Sequence, residues 1–341
     1  MSGESAGTVA VVGATGYAGS EAVRLLAGHP KFRVTRVTSE RSAGKPLSEQ
    51  CPWLATSLTL QPFVAEEIEE DFVLLCQEAG FAMTHAARLL EQGARLVDFS
   101  ADFRLKSPEL YEEWYGSPHL APELLSQAVY GLTELADAEA LRSAHLIANP
   151  GCYPTAALLA LEPLRREGLV AGIPVIDSKS GVSGAGRSKV ESDYLFAEMS
   201  GGFKAYGVVR HRHTPEIEQA LGGLQVRFTP HLLPVPRGIH STIHVPVRPG
   251  LRRSEIIDAW RCAYGNERFV SISDTPPSTK AVVGSNRCML WAEVDERTGY
   301  AVLVSVIDNL VKGAAGQAIQ NLNVMAGLRS ETGLPVDGVW P

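Results

Sequence analysis

A single cysteine on a sharp turn directly before a helical pattern has the clearest chemical potential in this sequence. Cys152 follows the residues NPG, which favour an exposed turn, and precedes apolar residues at helical spacing that end near Gly168. A thiol in the first turn of a helix lies beside unpaired backbone N–H groups and the positive end of the helix dipole, and both favour the thiolate. Cys152 is therefore a candidate nucleophile. The alternative is a buried cysteine that serves only as a small apolar side chain.

Two histidines separated by one residue, His211 and His213, precede a second predicted helix. Thr214 is its expected N-cap and Pro215 its expected first residue. A histidine near a thiolate can form an ion pair with it and can later donate or accept a proton. His-x-His also occurs in metal sites, but no third ligand follows nearby in the sequence, so no metal is predicted.

Basic residues crowd this region of the chain. Arg210 and Arg212 flank His211, and Arg187 and Lys189 come earlier. A local excess of positive charge in an acidic chain suits an anionic substrate, whereas a solvated surface is the ordinary explanation for such charges.

A strand, a glycine turn and a helix open the chain. Residues 8–12 are apolar, residues 13–19 are GATGYAG, and a helical pattern follows. Glycines allow a backbone to approach a pyrophosphate, whose charge the helix N-terminus favours. The spacing is G-x-x-G-x-x-G rather than G-x-G-x-x-G, and a purely structural turn is the alternative. The predicted cofactor-binding residues of this turn are Gly13, Thr15, Gly16, Tyr17, Ala18 and Gly19.

The residues after the second strand, 32–38, favour NADP over NAD. NAD-binding domains usually place Asp or Glu there, beside the adenosine ribose. This chain has Ser39 and Arg41 instead, and a hydroxyl and a guanidinium suit a 2′-phosphate. Glu40 is expected to point away from its neighbours if the strand continues. The alternative is that Arg41 is an ordinary solvated loop residue.

The remaining patterns indicate an α/β protein with two different sheets. Strands alternate with helices up to residue 99, which predicts a parallel sheet wound on both faces. The strands predicted after Cys152 are longer and more alternating, as in a mostly antiparallel sheet; they span 175–178, 225–229, 240–247 and 301–307. A last helix is predicted over 310–328. The loop SGVSGAG, 180–186, is either a flexible connection or a ligand contact.

Composition limits the class of protein. The 341 residues exceed a single comfortable core, and the net charge of −7 argues against a nucleic-acid partner. No run approaches the ~18 apolar residues of a membrane span, and the N-terminus lacks the pattern of a signal peptide. The five cysteines form no C-x-x-C pair, so neither a zinc cage nor a disulfide framework is indicated. We expect a cytoplasmic protein with no membrane partner.

Several segments, in order along nearly the whole chain, closely resemble the N-acetyl-gamma-glutamyl-phosphate reductase family of arginine biosynthesis. They are GATGYAGSE, SADFRL, NPGCYPTA, SGVSGAGR, HRHTPEI, PRGI, VGSN and DNLVKGAAGQAIQNLN. The resemblance implies the fold of aspartate-semialdehyde and glyceraldehyde-phosphate dehydrogenases. Residues 1–150 and 309–341 would form a Rossmann-type NADP-binding domain with a returning helix. Residues 151–308 would form an α+β catalytic and subunit-contact domain of a homodimer or homotetramer.

The resemblance also implies roles for single residues. Cys152 would be the nucleophile, His211 the acid/base and His213 a supporting or substrate-contacting residue. Further cofactor contacts would come from Ser183, Gly184, Asn309 and Gly313. Substrate contacts would come from Arg104, Ser180, Arg187, Arg212 and His213.

The implied reaction is the NADPH-dependent reduction of N-acetyl-L-glutamyl 5-phosphate through a cysteine thioester, with the oxyanion held by helix-start N–H groups and by His211. One alternative is a lysine-biosynthetic relative that reduces an aminoadipyl phosphate on an acidic carrier protein, although docking such a carrier needs a basic surface. Another is a nucleotide-sensing protein, which would need neither Cys152 nor His211.

Two positions depart from the family pattern. LCQEAGF, 75–81, stands where the family usually has a Leu-Pro-His-Gly type loop, so cofactor contacts from that loop are not carried over. His240 follows PRGI where an apolar residue is usual. Related semialdehyde dehydrogenases use a histidine before serine in a comparable strand, which makes His240 a minor second candidate for proton transfer.

Overall fold

The computed structural model describes residues 5–188 and 195–339, and these divide into two compact units. The first unit comprises the described residues up to Pro150 together with Ala314–Leu334. The second comprises those of Gly151–Gly313 and those from Pro335 onward. Each unit is built on one β-sheet. No helix within the described ranges is long and apolar enough to cross a membrane.

The first unit alternates short strands and helices around a parallel sheet. Its strands are β1 Gly7–Val12, β2 Phe32–Thr38, β3 Phe72–Leu75, β4 Arg95–Asp98, β5 Val129–Tyr130 and β6 Leu146–Ala148. Its helices are α1 Tyr17–Ala27, α2 Leu47–Gln50, α3 Phe81–Glu91, α4 Pro108–Tyr115, α5 Ala138–Ser143 and, from the end of the chain, α10 Gly316–Met325. The strand order is β2-β1-β3-β4-β6-β5, and every pair is parallel.

This sheet confirms the predicted Rossmann-type class. The central strands are almost wholly buried, as expected for strands covered by helices on both faces. The chain passes from β1 to β2 on one side and later to β3 on the other, so the strand order reverses at β1. The glycine turn after β1 therefore lies at the switch point where open α/β sheets bind ligands.

The segment SADFRL supports the start of α3. Asp102 is fully buried, and its carboxylate accepts hydrogen bonds from the backbone N–H groups of Gly80 and Met83 and from the Tyr111 hydroxyl. A carboxylate there satisfies unpaired helical N–H groups and complements the helix dipole. Within the atypical loop 75–81, Gly80 has a φ of 102°, a conformation that favours glycine. The hydrogen bond from its N–H to Asp102 holds it at the start of α3.

The second unit is built on a mixed sheet of seven strands. They are β7 Val175–Gly181, β8 Lys204–Ala205, β9 Arg227–Leu233, β10 Ile239–Pro246, β11 Val270–Ile272, β12 Cys288–Asp295 and β13 Tyr300–Ile307. Its helices are α6 Cys152–Arg166, α7 Phe196–Met199, α8 Thr214–Ala220 and α9 Arg253–Tyr264. The order is β11-β12-β13-β10-β7-β9-β8, and only the pairs β11·β12 and β7·β9 are parallel. The mostly antiparallel sheet is confirmed, although β8, β11 and the long β12 were not predicted.

The predicted last helix does not begin as an α-helix. A π-helical turn, Val311–Ala315, precedes α10. Within the first unit, α10 packs against α1, α5 and β4, and the Arg95 guanidinium donates to the carbonyl of Met325 at its end. A guanidinium at a helix C-terminus binds unpaired carbonyls and complements the dipole.

The helix that begins at Cys152 contains a proline, and a neighbouring helix compensates for it. Pro163 has no N–H to donate to the carbonyl of Leu159, one turn earlier. The Tyr264 hydroxyl of α9 donates to that carbonyl at 2.8 Å, and Trp260 Nε1 donates to the next carbonyl, Ala160, at 2.9 Å. The buried Tyr264 hydroxyl thus supplies the hydrogen bond that Pro163 cannot donate, and buried Trp260 adds a second donor from α9.

We expect Tyr264→Phe to destabilise the protein by about 1–3 kcal/mol, because the buried Leu159 carbonyl would be left without its donor. Urea unfolding followed by circular dichroism measures this cost. Tyr300→Phe on β13, whose side chain is exposed, is the matched control and should change stability little. In a Pro163→Ala background, where residue 163 regains an N–H, the cost of Tyr264→Phe should shrink. An equal cost in both backgrounds would show that the hydroxyl does not replace the missing helical bond.

Candidate active site

Cys152 is the first residue of α6, as its sequence pattern predicted. Gly151 is the N-cap, and no side chain caps this helix. Because Pro154 has no N–H, the backbone donors at the helix start belong to Cys152 and Tyr153. Cys152 is partly buried, whereas Cys51 and Cys288 are buried, and its role as a nucleophile stays a prediction.

Glu216 lies beside this helix start and was not singled out from the sequence. It is in the first turn of α8, is 1% exposed, and accepts the N–H of Gly151 at 2.8 Å. Its charge also acts to raise the pKa of His211 against the larger effect of burial. A buried carboxylate thus joins the cysteine helix to the histidine segment. The only sequence signal for it was its place in HRHTPEI.

Tyr153 connects the cysteine to both histidines. Its ring meets those of His211 and His213 edge-on, with centroids 5.6 and 5.8 Å apart. Its hydroxyl accepts a hydrogen bond from the Tyr206 hydroxyl at 3.0 Å and donates to the carbonyl of His231 at 3.3 Å. Burial raises the pKa of Tyr153, so it is a neutral phenol that fixes its neighbours by packing and hydrogen bonding.

His211 is enclosed by aromatic rings and is neutral. Tyr153, Tyr206 and Phe228 lie 5.2–5.6 Å from it, centroid to centroid. Burial, reinforced by His213, lowers the pKa of His211 to about 3. A resting ion pair between His211 and the Cys152 thiolate, which the sequence allowed, is therefore not supported.

The hydrogen bonding of His211 also decides its tautomer. Nδ1 accepts the backbone N–H of His213 at 3.1 Å. A neutral imidazole whose Nδ1 is an acceptor carries its proton on Nε2. In the resting protein His211 thus presents an N–H donor at Nε2, as required of a group that holds an oxyanion.

The turn that leads into His211 is strained. Val209 has φ 70°, and no other non-glycine residue of the described chain has a positive φ. A β-branched residue in that conformation costs on the order of 1–3 kcal/mol, and such strain concentrates at functional sites. A Cβ added at Gly207 would lie 3.0 Å from Cδ2 of His211, so the turn closes tightly on the imidazole. No sequence pattern predicted this feature.

The structure brings four of the predicted ligand contacts together. Asn309 accepts the N–H of Gly238 at 2.7 Å and donates to the Ser183 hydroxyl at 2.9 Å. A Cβ on Gly184 would lie 3.2 Å from Oγ of Ser180. The loop 180–186 is therefore held by side chains and contains the 3-10 turn Val182–Ala185, so it is not a flexible connection. Ligand contact by these residues stays a prediction.

The predicted basic residues are distributed differently. Arg187, Arg210 and Arg212 are exposed, and Lys189 lies outside the described residues. Among the described residues, no group of three or more His, Cys, Asp or Glu side chains is arranged to hold a metal ion.

Arg104 belongs to the first unit and is buried. Its Nε donates to the carbonyl of Asn149 at 2.8 Å and its Nη2 to that of Phe99 at 2.7 Å. Two of the five guanidinium N–H donors thus hold the carboxyl ends of β4 and β6. A substrate contact from Arg104 stays a prediction.

His240 lies on the wrong face of the sheet for proton transfer at Cys152. Its neighbour Ile239 pairs in register with Ile307, whose Cδ1 lies beside Gly313 and Cys152. Successive residues of a strand point to opposite faces, so His240 points away from that side. It stands instead opposite Lys179 on the other face. This placement does not support His240 as the second candidate for proton transfer.

In the first unit, the glycines of the turn after β1 differ in the space around them. A Cβ at Gly13 would lie 2.5 Å from the carbonyl of Cys76, and one at Gly19 would lie 2.3 Å from the carbonyl of Gly13. Packing within the protein thus explains these two glycines. A Cβ at Gly16 would meet only an ordinary contact at 3.5 Å, and no side chain caps α1, which begins directly after it. This helix start fits the pyrophosphate of a dinucleotide.

The residues after β2 differ in burial and in hydrogen bonding. Ser39 is buried, and its hydroxyl lies 3.3 Å from that of Thr15 in the glycine turn. Arg41 is exposed and forms no hydrogen bond or ion pair within the described part of the chain. The strand ends at Thr38 and residues 40–42 form a 3-10 turn, so the condition for the expected alternation of Glu40 is not met. Its carboxylate is engaged instead by the N–H of Phe63 at 2.8 Å.

Two family descriptions match most of the chain. Residues 8–144 match the semialdehyde dehydrogenase, NAD binding domain, and residues 152–309 match the semialdehyde dehydrogenase, dimerisation domain.

Among curated proteins, the chain is 47% identical over 345 residues to the N-acetyl-gamma-glutamyl-phosphate reductase of Magnetococcus marinus, covering 98% of both chains. It is 44% identical to a probable chloroplastic N-acetyl-gamma-glutamyl-phosphate reductase of Arabidopsis thaliana, covering 98% of this chain and 85% of that one.

Solved structures share the fold at low identity. Aspartate semialdehyde dehydrogenase II of Vibrio cholerae, complexed with ASA, superposes with a TM-score of 0.71 at 19% identity, covering 94% of this chain and 98% of that one. The NADP-bound aspartate semialdehyde dehydrogenase of Candida albicans gives 0.70 at 16% identity, with the same coverage.

Proposed function

The chain belongs to the N-acetyl-gamma-glutamyl-phosphate reductases within the semialdehyde dehydrogenase family, and we propose that it reduces N-acetyl-L-glutamyl 5-phosphate to N-acetyl-L-glutamate 5-semialdehyde and phosphate with NADPH, in L-arginine biosynthesis. The observation that carries this proposal is the arrangement around Cys152. A thiol at a helix start that no side chain caps is joined through Tyr153 to a neutral His211.

The covalent steps take place on the sulfur of Cys152. The thiolate attacks the acyl carbon, a C–S bond forms, the bond to the phosphate oxygen breaks, and inorganic phosphate leaves. When bound, NADPH supplies the hydride that reduces the resulting thioester. Collapse of the thiohemiacetal then breaks the C–S bond, releasing the aldehyde and restoring the thiolate.

The protein holds the negative oxygen that develops in these steps. Backbone N–H groups at the start of α6 point along the helix axis toward developing charge. His211 adds its Nε2–H, and because the imidazole is already neutral and its Nδ1 is fixed by His213, no rearrangement is needed to present it. His211 therefore acts as a hydrogen-bond donor in its neutral form, and it can serve as a proton source only after it has itself taken up a proton.

NADP specificity is proposed to rest on Ser39 and Arg41, with the pyrophosphate on the start of α1. The binding of Glu40 to Phe63 supports this, since that carboxylate is turned to a backbone donor. The match to a dimerisation domain over residues 152–309 supports a homodimer or homotetramer.

The purified protein is expected to oxidise N-acetylglutamate 5-semialdehyde with NADP⁺ only when phosphate is present, measured as NADPH absorbance. Cys152→Ser should abolish turnover while NADPH binding is retained, because a serine alkoxide is far harder to form at neutral pH. Cys262→Ser, at an exposed cysteine of α9, is the matched control and should retain activity. Turnover of only carrier-linked aminoadipate semialdehyde would support the lysine-pathway relative, and cofactor binding without turnover of either substrate would support a sensor.

Substitutions of His211 separate hydrogen-bond donation from proton transfer. Loss of one oxyanion donor lowers kcat by about 10²–10³-fold, and we expect this for His211→Ala. His211→Gln places an amide N–H near the position of Nε2 and should recover a measurable part of the loss. Equal losses in Ala and Gln would show that proton transfer dominates. His213→Gln is measured in parallel, and a larger loss there than in His211→Ala would move the principal role to His213.

Replacement of Arg41 tests the cofactor proposal. Arg41→Ala should weaken NADPH binding by about 1.5–3 kcal/mol, the range for hydrogen bonds to charged groups, and leave NADH binding nearly unchanged. Titration of cofactor fluorescence gives both affinities. Arg33→Ala, at an exposed arginine of β2, is the matched control. Equal losses for both cofactors, or a preference of the wild type for NADH, would contradict the assignment.

A further inference from the structure

The chain widens into a π turn directly after β13, and Asp308 organises this turn. The N–H of Gly313 donates at 2.9 Å to the carbonyl of Asp308, five residues earlier, where an α-helix would use the residue four earlier. One residue is thereby inserted into the turn. Such π turns are frequent at functional sites, and the inserted residue changes which neighbours the turn can contact.

The carboxylate of Asp308 is fully buried and is surrounded by donors. Oδ1 accepts the N–H of Leu310 at 2.8 Å and of Val311 at 3.2 Å. Oδ2 accepts the N–H of Gly284 at 2.7 Å and Nη1 of Arg237 at 3.4 Å. A buried carboxylate with several charge-assisted hydrogen bonds is rigid, because losing any of them leaves a buried charge less well solvated.

Lys312 anchors the interior of the same turn. Its side chain is fully buried, and Nζ lies 6.0 Å from the ring centroid of Phe269. A cation at this distance from an aromatic face is attracted to it. Asp308 holds Leu310 and Val311, and Lys312 packs on Phe269, so the residues that lead directly into Gly313 are held in the turn.

Gly313 is pressed against the cysteine. A Cβ added to it would lie 2.8 Å from Cβ of Cys152, 3.3 Å from its Cα and 3.2 Å from Cδ1 of Ile307. Its φ is not in the left-handed region, so close approach and not backbone conformation requires glycine here. The atoms that it contacts are the backbone and first side-chain carbon of Cys152, which cannot swing aside as the end of a long side chain can.

We propose that Asp308 and Gly313 are positioning residues for Cys152: the buried carboxylate holds the π turn, and the turn sets the thiol by close contact of Gly313 with its Cα and Cβ. This rests on the proposed function of Cys152 as the nucleophile. It assigns Gly313 a role distinct from the cofactor contact that the resemblance implied.

Gly313→Ala is the direct test, with two readouts. The rate of alkylation of Cys152 by iodoacetamide across the pH range, followed by mass spectrometry in a Cys262→Ser background, measures the thiol in the free protein. It is expected to fall at neutral pH as the thiol is moved from the helix start. A displacement of this kind lowers kcat on the order of 10²-fold, while the NADPH Kd should be unchanged. Gly28→Ala, whose Cβ would meet nothing within 4 Å, is the matched control.

A compensating substitution distinguishes steric displacement from other losses. Ile307→Val removes the Cδ1 that bounds the other side of Gly313, so it should restore part of the alkylation rate and of kcat in the Gly313→Ala protein. An unchanged alkylation profile with a weakened NADPH Kd would overturn the proposal and support a cofactor contact. A loss that Ile307→Val does not reduce would also count against it.

Asp308→Asn tests the other half of the proposal. An amide nitrogen cannot accept, so at least one of the N–H donors around residue 308 would face another donor. We expect the alkylation rate and kcat to change in the same direction as in Gly313→Ala, with a thermal transition showing that the protein is folded. A folded Asp308→Asn protein with a wild-type alkylation profile would overturn the role of Asp308. The alkylation measurement uses no substrate, so its outcome is independent of whether the proposed acyl phosphate is correct.

Discussion

The first turn of α6 is under two opposed constraints, and residues elsewhere in the second unit satisfy both. Under the proposed mechanism, its backbone N–H groups face the negative charge that develops at Cys152, and a conventional side-chain cap would occupy those donors. The same turn has to be rigid. Supports for this turn come from outside the helix: Glu216 accepts the N–H of Gly151, and Gly313 lies so close that a Cβ added to it would be 2.8 Å from Cβ of Cys152.

Charge around the site is controlled by burial as much as by pairing. The aromatic rings about His211 disfavour its cationic form, and the N–H of His213 fixes its tautomer, so the imidazole is a neutral donor of defined direction. The unfavourable φ of Val209 lies in the turn that places the His211 ring among these aromatic side chains. The rings of Tyr153 and Phe228 pack edge-on against the imidazole that this turn positions.

Glycines that are equivalent in the sequence serve different purposes. A side chain at Gly13 is excluded by the backbone of Cys76 after β3, and one at Gly19 by the backbone of Gly13 in the same turn. Gly16 has room for a side chain and directly precedes α1, which no side chain caps. Gly313 is a glycine because of a cysteine 161 positions earlier in the chain. These different reasons for a glycine become visible only from distances between segments that are far apart in the chain.

The sequence by itself determined the fold class, the glycine turn, the start of the cysteine helix and the family, because periodicity, capping and motif spacing are local properties of the chain. It also predicted β2 with the bounds that the structure has. Tertiary structure alone decided the protonation and tautomer of His211, the face on which His240 lies, the engagement of Glu40 by Phe63, and the supports at Glu216 and Asp308. Each of these depends on burial or on contact between segments distant in the chain. Strand β12 was missed and the π turn was predicted as regular helix, because sheet pairing and a buried carboxylate, neither visible in a local pattern, stabilise them.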